Sequence, residues 1–450
     1  MSEAPHIAAW RENRRDLRGA SWLVGARFIA IVLGIVGVSL TIRHLGKADY
    51  GVLAFAYTLV QIVAAAGRLG LDGPVVREIV RRPWDTGAIV GTAAGMRLMA
   101  AVLASAAVLA IGMRVGLTAT ADWRLMAVAA IVLPVSTLDV FDFVCVAQRR
   151  LSIKALTGVL SAAMRVGWIV GCVLTAAPLW VFAFALGLEA LVRGVALAAG
   201  LRRPLREARP IRFALDRVWA LLRLSLPLAG SAVLAMIYLQ IDRLMIGTML
   251  GAGELGEYAI VARLGEGFVF LGGALSQAVS PRFLRLAQRD EPTFHARLEE
   301  FGSLLCGTAY AIAIVTVALA GPLLLLIGGD QVSDTAVVAL RVHAFATVFV
   351  FVGRMRGIWV LHSGRTELNL LGNVLGAAVN IGLNWLLLPV MGIVGASLAT
   401  LISYAVAFIL ATALLPEARP LVRHQMRALL MLRFAAATRH LRKPPHPPKG

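Results

Sequence analysis

The segment LGKADYGVLAFAYTL (Leu45 to Leu59) is echoed 205 residues later by LGAGELGEYAIVARL (Leu250 to Leu264). A leucine, a glycine, an acidic residue, a second glycine, an alanine and a leucine recur at matching positions. Each copy follows one apolar run and opens the next. The repeat therefore predicts a molecule of two related halves.

The composition is that of a membrane protein. Hydrophobic residues make up 59% of the chain and charged residues 15%, with a mean hydropathy of +0.79. Water-soluble domains have roughly 45 to 50% apolar and about 25% charged residues, so a soluble globular enzyme is excluded. A bilayer core takes roughly 20 apolar residues per helix, so the 450 residues can hold about a dozen spans.

The apolar runs predict twelve spans, numbered here one to twelve. They cover about residues 20–42, 50–70, 87–113, 123–147, 152–176, 179–200, 221–249, 256–280, 299–327, 335–361, 367–388 and 391–415. The predicted fold class is an all-α polytopic membrane protein with two six-helix lobes, residues 20–210 and 211–415. Segment 1–19 precedes them and a basic tail, 416–450, follows. Because six is an even number, the lobes should be related by a pseudo-two-fold axis along the membrane normal.

The positive charges predict the orientation. Of the 44 Lys and Arg residues, 29 lie in the gaps on the side of the two termini and four lie in the gaps on the other side. Positive charge marks the cytoplasmic side, so both termini should be cytoplasmic. Two basic amphipathic stretches on that side, around residues 75–82 and 423–439, fit helices lying in the headgroup plane, or else a solvated loop and a disordered tail.

Eleven arginines remain, and all of them lie within the spans. A charged side chain at the bilayer centre costs about 2.5 to 3.5 kcal/mol unless it pairs, reaches the interface or faces water. Arg97 and Arg165 lie ~15 to 20 Å from the nearer helix start. They either line a wet cavity, where the guanidinium fork suits a diphosphate, or form buried ion pairs with Asp139 or Asp142.

Three more arginines are candidates for contact with an anionic ligand. Arg27 lies near the inner end of span one, where it can also reach the interface. Arg341 and Arg356 share one face of span ten, about 22 Å apart. They form either two stations for an anion or two residues that each reach their own end of the span. His343 and Arg354, on another face, are less suggestive.

Span eleven has a narrow polar stripe. Asn369, Asn373, Asn380 and Asn384 lie within an arc of about 60°, which favours contact with protein or water over lipid. Carboxamides suit sugar hydroxyls, and they equally suit hydrogen bonds between helices. Both roles stay open on the sequence alone.

Four carboxylates are candidates for ion coupling. Asp242 lies on a polar stripe of span seven without an obvious partner on its own helix, so it could bind a proton or sodium; the alternative is an ion pair with Arg27 or Arg165. Asp139 and Asp142 could share a proton or bind a cation. Glu189 is the fourth candidate, although it can also pair with Arg193 four residues later.

Several signatures are absent from the sequence. It contains no GxxxxGK[ST] motif, and no soluble domain is large enough to hydrolyse ATP. The three cysteines lie in apolar runs without CxxC spacing, which indicates neither a disulfide nor a metal site. We expect no cofactor and no catalytic residues. Energy should come from a proton or sodium gradient, the membrane potential or consumption of product.

Three segments carry a family resemblance. Residues 43–79, 238–264 and 380–404 resemble the polysaccharide and O-antigen flippases of the multidrug/oligosaccharidyl-lipid/polysaccharide exporter superfamily. The resemblance implies a multi-pass protein of the bacterial inner membrane. Such a protein moves an undecaprenyl diphosphate-linked oligosaccharide by alternating access of a cationic cavity, for cell-surface polysaccharide biosynthesis. Its partners would be this glycan, membrane lipids and the polymerase and glycosyltransferase machinery, and not nucleic acid.

Two other functions are compatible with the same architecture. An ion-coupled drug antiporter of that superfamily should line its cavity with carboxylates and aromatic residues, whereas the eleven arginines favour an anionic ligand. A membrane ligase or polymerase acting on polyprenyl-linked sugars would join or cleave glycans in detergent.

Overall fold

The computed structural model describes residues 5–114, 123–202 and 210–435, and throughout these ranges the regular structure is helical. Lipid offers no hydrogen bonds to a backbone, so an apolar run that crosses a bilayer has to satisfy its own polar groups within a helix. Ten of the described helical segments are long and apolar enough to span a membrane. The prediction of an all-α polytopic fold is confirmed.

Two glycines each divide one of these ten segments in two, which gives twelve segments, as many as the predicted spans. Gly46 interrupts the 46-residue segment Trp22–Gly67 with a φ of 80°, and Gly392 interrupts the 48-residue segment Glu367–Leu414 with a φ of 56°. Both values lie in the left-handed region that side chains disfavour, which is why glycine occupies both turns. The breaks fall where the sequence separates spans one and two, and eleven and twelve. Which side the termini occupy stays a prediction.

The described chain divides into two compact units. The first comprises Met1–Gln240 and Gly251–Gly256, and the second Ile241–Leu250 and Glu257–Gly450. The sequence instead draws the boundary at residue 210, and that boundary between moving lobes stays a prediction. The first unit contains α1 (Pro5–Gly67), α2 (Asp72–Arg81), α3 (Thr86–Arg114), α4 (Trp123–Ser136), α5 (Phe141–Ala147), α6 (Leu151–Leu174), α7 (Leu179–Gly200) and most of α8 (Leu215–Met249).

The second unit begins at the last turns of α8. It contains α9 (Ala252–Glu266, from Glu257 on), α10 (Val269–Ala287), α11 (Glu291–Gly328), α12 (Asp334–Ser363), α13 (Glu367–Ala405), α14 (Ala411–Leu414) and α15 (Arg419–Leu429). A five-residue π-helix, Val406–Leu410, joins α13 to α14. Asp290 caps α11 by accepting hydrogen bonds from the backbone and hydroxyl of Thr293, and these bonds hold the pKa of its carboxyl below the usual range.

The two copies of the glycine repeat pack against each other within the first unit. A Cβ on Gly51 or on Gly256 would lie closer than 3.0 Å to backbone of the opposite copy, at Ala252 and Lys47 respectively. Only glycine permits two backbones to approach this closely. Gly46 and Gly251 both have positive φ, of 80° and 100°. The repeated glycines thus have repeated geometry, and their mutual contact is a feature that the sequence alone did not show.

The helix predicted around residues 75–82 exists as α2, but two of its apolar residues face the protein. Val75 and Ile79 are fully buried in a core formed with Ile89 and Val90 of α3 and Val144 of α5. The outward side of α2 carries arginines and the exposed Val80. The predicted orientation, with the valines and isoleucine in the headgroup plane, is therefore wrong for Val75 and Ile79.

The chain leading into α8 is held on the N-terminal half of α3. Gly91 and Gly95 leave room for the backbone of Arg212 and the ring of Phe213. The Thr92 hydroxyl accepts a hydrogen bond from the Ala214 backbone at 3.1 Å. This segment is consequently part of the first unit.

The basic tail docks on the second unit. Leu421 and Ala428 of α15 join a core containing Phe294, Leu298 and Phe301 of α11. Buried Glu299 accepts from His424 at 2.8 Å and lies 3.4 Å from Arg433 and 3.6 Å from Arg427. The part of the predicted tail from residue 436 to 450 lies outside the described residues, as do residues 1–4 of the predicted N-terminal segment.

Candidate functional site: ionisable residues within the spans

Arg97 of α3 forms an ion pair in this conformation, which is one of the two roles that its sequence position left open. Its Nη1 lies 2.5 Å from Oδ1 of Asp139, and only 3% of its side chain is exposed. The guanidinium also lies over the ring of Phe143, with Cζ 5.7 Å from the ring centroid. A substrate contact for Arg97 stays a prediction, because here its charge is neutralised by Asp139.

Asp142 has cationic partners of its own. It forms an ion pair with Arg193 of α7, and Nζ of Lys154 lies 3.6 Å from its Oδ2. Asp139 and Asp142 thus face different cations. Because each carboxylate pairs with its own cation, this conformation does not support a proton shared between them. The shared proton or bound cation that their i,i+3 spacing suggested stays a prediction.

Glu189 of α7 pairs with Arg165 of α6 across 2.9 Å, with 28% and 17% of the two side chains exposed. The expected local pair between Glu189 and Arg193 does not form, because Arg193 is engaged by Asp142. The Arg165–Glu189 pair is more open than the Arg97–Asp139 pair on its arginine side, so Arg165 is the more accessible of these two arginines.

Asp242 is buried near the end of α8, where two donors satisfy it. Tyr258 donates its hydroxyl to Oδ2 at 2.6 Å, and the Arg243 backbone donates to Oδ1 at 2.8 Å. Among the four coupling candidates, Asp242 alone has no ion pair with any residue that the structure describes. The neighbouring Arg243 guanidinium instead donates to Glu266 at 2.9 Å.

The surroundings of Asp242 include groups that sequence analysis missed. Tyr258 comes from the second copy of the repeat, and the ring of His343 on α12 meets the Tyr258 ring edge-on with centroids 6.2 Å apart. Gly265 leaves the space that the imidazole occupies. Helical spacing along one span cannot reveal such a cluster, because its members come from α8, α9 and α12.

Asn380 and Asn384 in the polar stripe of α13 bind protein groups. Asn384 donates to the Asn380 side chain at 3.0 Å, and Asn380 donates to the Ser403 hydroxyl at 3.3 Å. Both asparagines are fully buried. The Asn380–Ser403 bond joins spans eleven and twelve, whereas the Asn384–Asn380 bond stays within span eleven. Asn373 is half-buried and has no hydrogen bond within the described ranges, which leaves it the freest candidate of the three for sugar recognition.

Arg341 and Arg356 are not equivalent, although they share a helix face. Arg356 is buried, donates to the Ala407 carbonyl at 2.6 Å and lies over the Phe408 ring. The π-helix at Val406–Leu410 shifts backbone bonding by one residue, so carbonyls here are available to side chains. Arg341 is exposed and has no ion pair or hydrogen bond with the part of the chain that is described.

Five arginines within the predicted spans have side chains with neither an ion pair nor a hydrogen bond to the residues whose side chains are described, 22–112, 123–202 and 210–435. These are Arg27, Arg68 and Arg223 in the first unit, and Arg341 and Arg354 in the second. Arg68 and Arg223 lie within three residues of a predicted span end, whereas the other three lie deeper. Arg354 is partly buried, and its Nε is buried without an acceptor. The sequence does not reveal this, because only tertiary structure shows which arginines a carboxylate neutralises.

An apolar recess of about 340 Å³ lies between α1 and α6 in the first unit. Trp22, Gly25, Ala26 and Ile29 of α1 form one wall, and residues of α6 near Leu156 form the other. Arg27 is not among the lining residues, because at 100° per residue it lies on the other side of α1.

Comparison with known proteins gives two family matches. A family described as "Polysaccharide biosynthesis protein" matches residues 17–287, and the MatE family matches residues 227–386. A curated relative, "Probable flippase AglR" of Haloferax volcanii, is 27% identical over 186 residues. That match spans 41% of this chain and 39% of the relative, which is about two fifths of its length.

Solved structures share the fold at low sequence identity. An inward-facing multidrug resistance MATE family transporter of the MOP superfamily is 15% identical, with a TM-score of 0.69 over 92% of this chain and 99% of its own. The lipid II flippase MurJ in an inward closed conformation is 13% identical, with a TM-score of 0.68 over 94% and 93%. Because the first family match covers more than half of the sequence, this chain, a multi-pass membrane protein with the fold of these transporters, belongs to the polysaccharide biosynthesis protein family.

Proposed function

We propose that this protein is a flippase that moves an undecaprenyl diphosphate-linked oligosaccharide across the bacterial inner membrane for cell-surface polysaccharide biosynthesis. The observation that carries the proposal is the presence of deep in-span arginines without an anionic partner among the described side chains, namely Arg27, Arg341 and Arg354. A diphosphate supplies the missing negative charge, and a guanidinium binds phosphate oxygens through paired N–H donors.

The depth of these residues supports a ligand role. Arg354 is nine residues from the end of α12 at Ser363, or ~13 Å along the helix. Arg341 is seven residues from its start at Asp334, or ~10 Å. An arginine this far from a helix end is costly to leave facing lipid, whereas a wet cavity or a bound phosphate lowers that cost.

The other half of such a substrate is an isoprenoid chain, and the apolar recess between α1 and α6 suits it. Its walls include the exposed side chains of Trp22, Ile29 and Leu156. Burial of each CH₂ group stabilises by about 0.8 kcal/mol, so this recess favours an isoprenoid chain over a hydrophilic group.

The carboxylates favour transport over glycosyl-transfer chemistry. Asp139, Asp142, Glu189 and Glu266 are all held by cations, and Asp242 accepts from Tyr258. An enzyme that joins or cleaves glycosidic bonds needs an acid and a base free to exchange protons with the sugar. Each of these groups already has a structural partner.

We further propose that transport proceeds by alternating access and that Asp242 couples it to a proton or sodium gradient. Asp242 is the coupling candidate whose charge no ion pair neutralises, so binding of a cation changes the local charge most at this position. Asp139, Asp142 and Glu189 are already neutralised by arginine and are weaker candidates in this conformation.

The test is translocation in proteoliposomes with a lipid-linked oligosaccharide that carries a reporter. Arg354→Gln and Arg341→Gln should weaken apparent affinity about tenfold or more, since hydrogen bonds to charged groups contribute about 1.5 to 3 kcal/mol. Arg285→Gln, an exposed arginine at the end of α10, is the matched control and should transport normally. Unchanged affinity in both test variants would refute the substrate role, and transport of cationic drugs in place of the glycan would favour the antiporter.

A further inference from the structure

The same exposed residue pattern occurs in both units. Residues 77–84 and 423–430 both place an arginine at the first position, an apolar residue three further on, a second arginine four further on and an apolar residue seven further on. We call these two sets the basic stripes. The first consists of Arg77, Val80, Arg81 and Trp84, and the second of Arg423, Met426, Arg427 and Leu430.

The apolar members of both stripes are open to the surroundings. Val80 and Trp84 are 61% and 59% exposed, and Met426 and Leu430 are 45% and 67% exposed. The arginines of both stripes are exposed as well. In each stripe the first three members, at spacings of three and four residues, lie on one side of the helix. The fourth lies just past the helix end: Leu430 directly follows α15, and Trp84 lies in the short 3-10 helix Pro83–Asp85 that follows α2. Each stripe is therefore a helix face of guanidinium and apolar groups followed by one exposed apolar residue.

The side of each helix opposite its basic stripe is packed against the protein, at two equivalent positions. Relative to the first arginine of the stripe, the residues two before and two after are buried: Val75 and Ile79 in α2, Leu421 and Gln425 in α15. Gln425 donates to the Phe408 carbonyl at 2.9 Å. The stripes are consequently held in a defined orientation, and each is the side of its helix that packing leaves uncovered.

The predicted twelve-span topology puts both stripes at a membrane boundary. The first follows the second predicted span and the second follows the twelfth, so an even number of crossings would place them on one side. The excess of positive charge predicts that this side is cytoplasmic. Beyond the second stripe, the Phe434 ring packs on Gly307, eight residues or ~12 Å along α11 from Glu299. The chain after the second stripe thus runs back along a span.

We propose that each basic stripe binds acidic phospholipids of the inner leaflet, with the arginines on headgroup phosphates and the apolar side chains among the upper acyl chains. This lipid binding goes beyond the flippase function and does not depend on it, because it rests on the exposed stripes and the predicted twelve-span topology. Arginine and tryptophan together are typical of the headgroup region, where one end of a side chain is wet and the other apolar. A free phosphate or a nucleic acid would gain nothing from Val80, Met426 and Leu430.

The experiment compares lipid retention by full-length variants. Purified protein in detergent is equilibrated with mixed micelles of fluorescent phosphatidylglycerol and phosphatidylcholine, and bound lipid is counted per folded protein. Each arginine near an acidic surface contributes about fivefold, equivalent to ~1 kcal/mol. Arg77→Gln/Arg81→Gln should therefore lower the preference of its site for phosphatidylglycerol by roughly 25-fold.

The chain provides a matched control in Arg285 and Arg289, which are also exposed and four residues apart. The residue between them at the equivalent position is Gln288, not an apolar one, and Pro292 follows. Arg285→Gln/Arg289→Gln removes the same charge and should leave the preference unchanged. An equal loss in this control would show general charge attraction and overturn the proposal.

The second stripe needs its own variants because Arg427 also lies near Glu299. Arg423→Gln removes one guanidinium without touching that contact, and Met426→Ser/Leu430→Ser leaves both arginines in place. We expect about a fivefold loss of phosphatidylglycerol preference in the first variant. The second should lose binding of both lipids at this site. Retention of both lipids at parental levels in all stripe variants, with parental melting temperatures, would refute the proposal.

Discussion

Replacing Gly256 with alanine tests the closest backbone approach in the first unit. The added Cβ would lie closer than 3.0 Å to the Lys47 carbonyl oxygen, a separation that real Cβ atoms essentially never show. Ordinary contact begins at 3.4 Å, so the chain at Lys47 has to retreat by about 1 Å. That obstacle is backbone and cannot rotate away like the end of a side chain. We expect a cost near the upper end of the usual overpacking range, about 3 kcal/mol.

The control is Gly253→Ala, three residues earlier in the same helix. A Cβ there meets only the flexible Lys47 Cε, at 3.9 Å. Its effect on the free energy of unfolding should be about 0.5 kcal/mol or less, as for a substitution without a clash. The assay is the melting temperature of the purified protein in detergent, measured side by side for the parent and both variants.

For a unit of this size, 1 kcal/mol corresponds to a shift of roughly 2 °C, so Gly256→Ala should melt about 6 °C below the parent. Gly51→Ala should behave alike, because its Cβ would meet the Ala252 carbonyl in the reciprocal contact. Equal melting temperatures for Gly256→Ala and Gly253→Ala would refute the close approach of the two repeats.

Three further predictions follow from buried contacts. Arg97→Leu should lower the free energy of unfolding by about 3 kcal/mol, because it strands the Asp139 charge, and the double variant with Asp139→Leu should recover much of the loss in the same melting assay. Glu299→Gln should loosen the docked tail and speed its cleavage in limited proteolysis, whereas Glu300→Gln, whose partner Arg297 lies on its own helix, should not. Asp242→Asn should transport without responding to an imposed pH or sodium gradient, and a parental response would exclude its coupling role.

The fold was predictable because its signals are local. Length and hydropathy of the apolar runs give the number of spans, and Gly46 and Gly392 mark turns that only left-handed backbone can make. The spacing of Gly46, Gly51, Gly251 and Gly256 revealed the repeat. That the repeated glycines would pack on each other was not predictable, since contact across 205 residues depends on the tertiary arrangement of helices.

The site was predictable as a set of residue types and not as a set of partners. Depth in a span indicates that the charges of Arg97, Arg165 and Arg354 need an anionic partner or contact with water. It does not say which one finds a carboxylate, because pairing depends on neighbouring helices. The structure neutralises Arg97 and Arg165 and leaves Arg354 without an acid. Likewise, periodicity showed that α2 is amphipathic, and packing decided that Val75 and Ile79 face the core.

The most direct test of the central claim is the leaflet in which lipid-linked oligosaccharide accumulates in cells that lack this protein. The flippase account predicts accumulation on the cytoplasmic leaflet, where an added membrane-impermeant probe cannot reach the glycan, and recovery with the parent chain but not with a variant that combines Arg341→Gln and Arg354→Gln. Accumulation on the outer leaflet would contradict the account and point to polymerisation or ligation of the glycan.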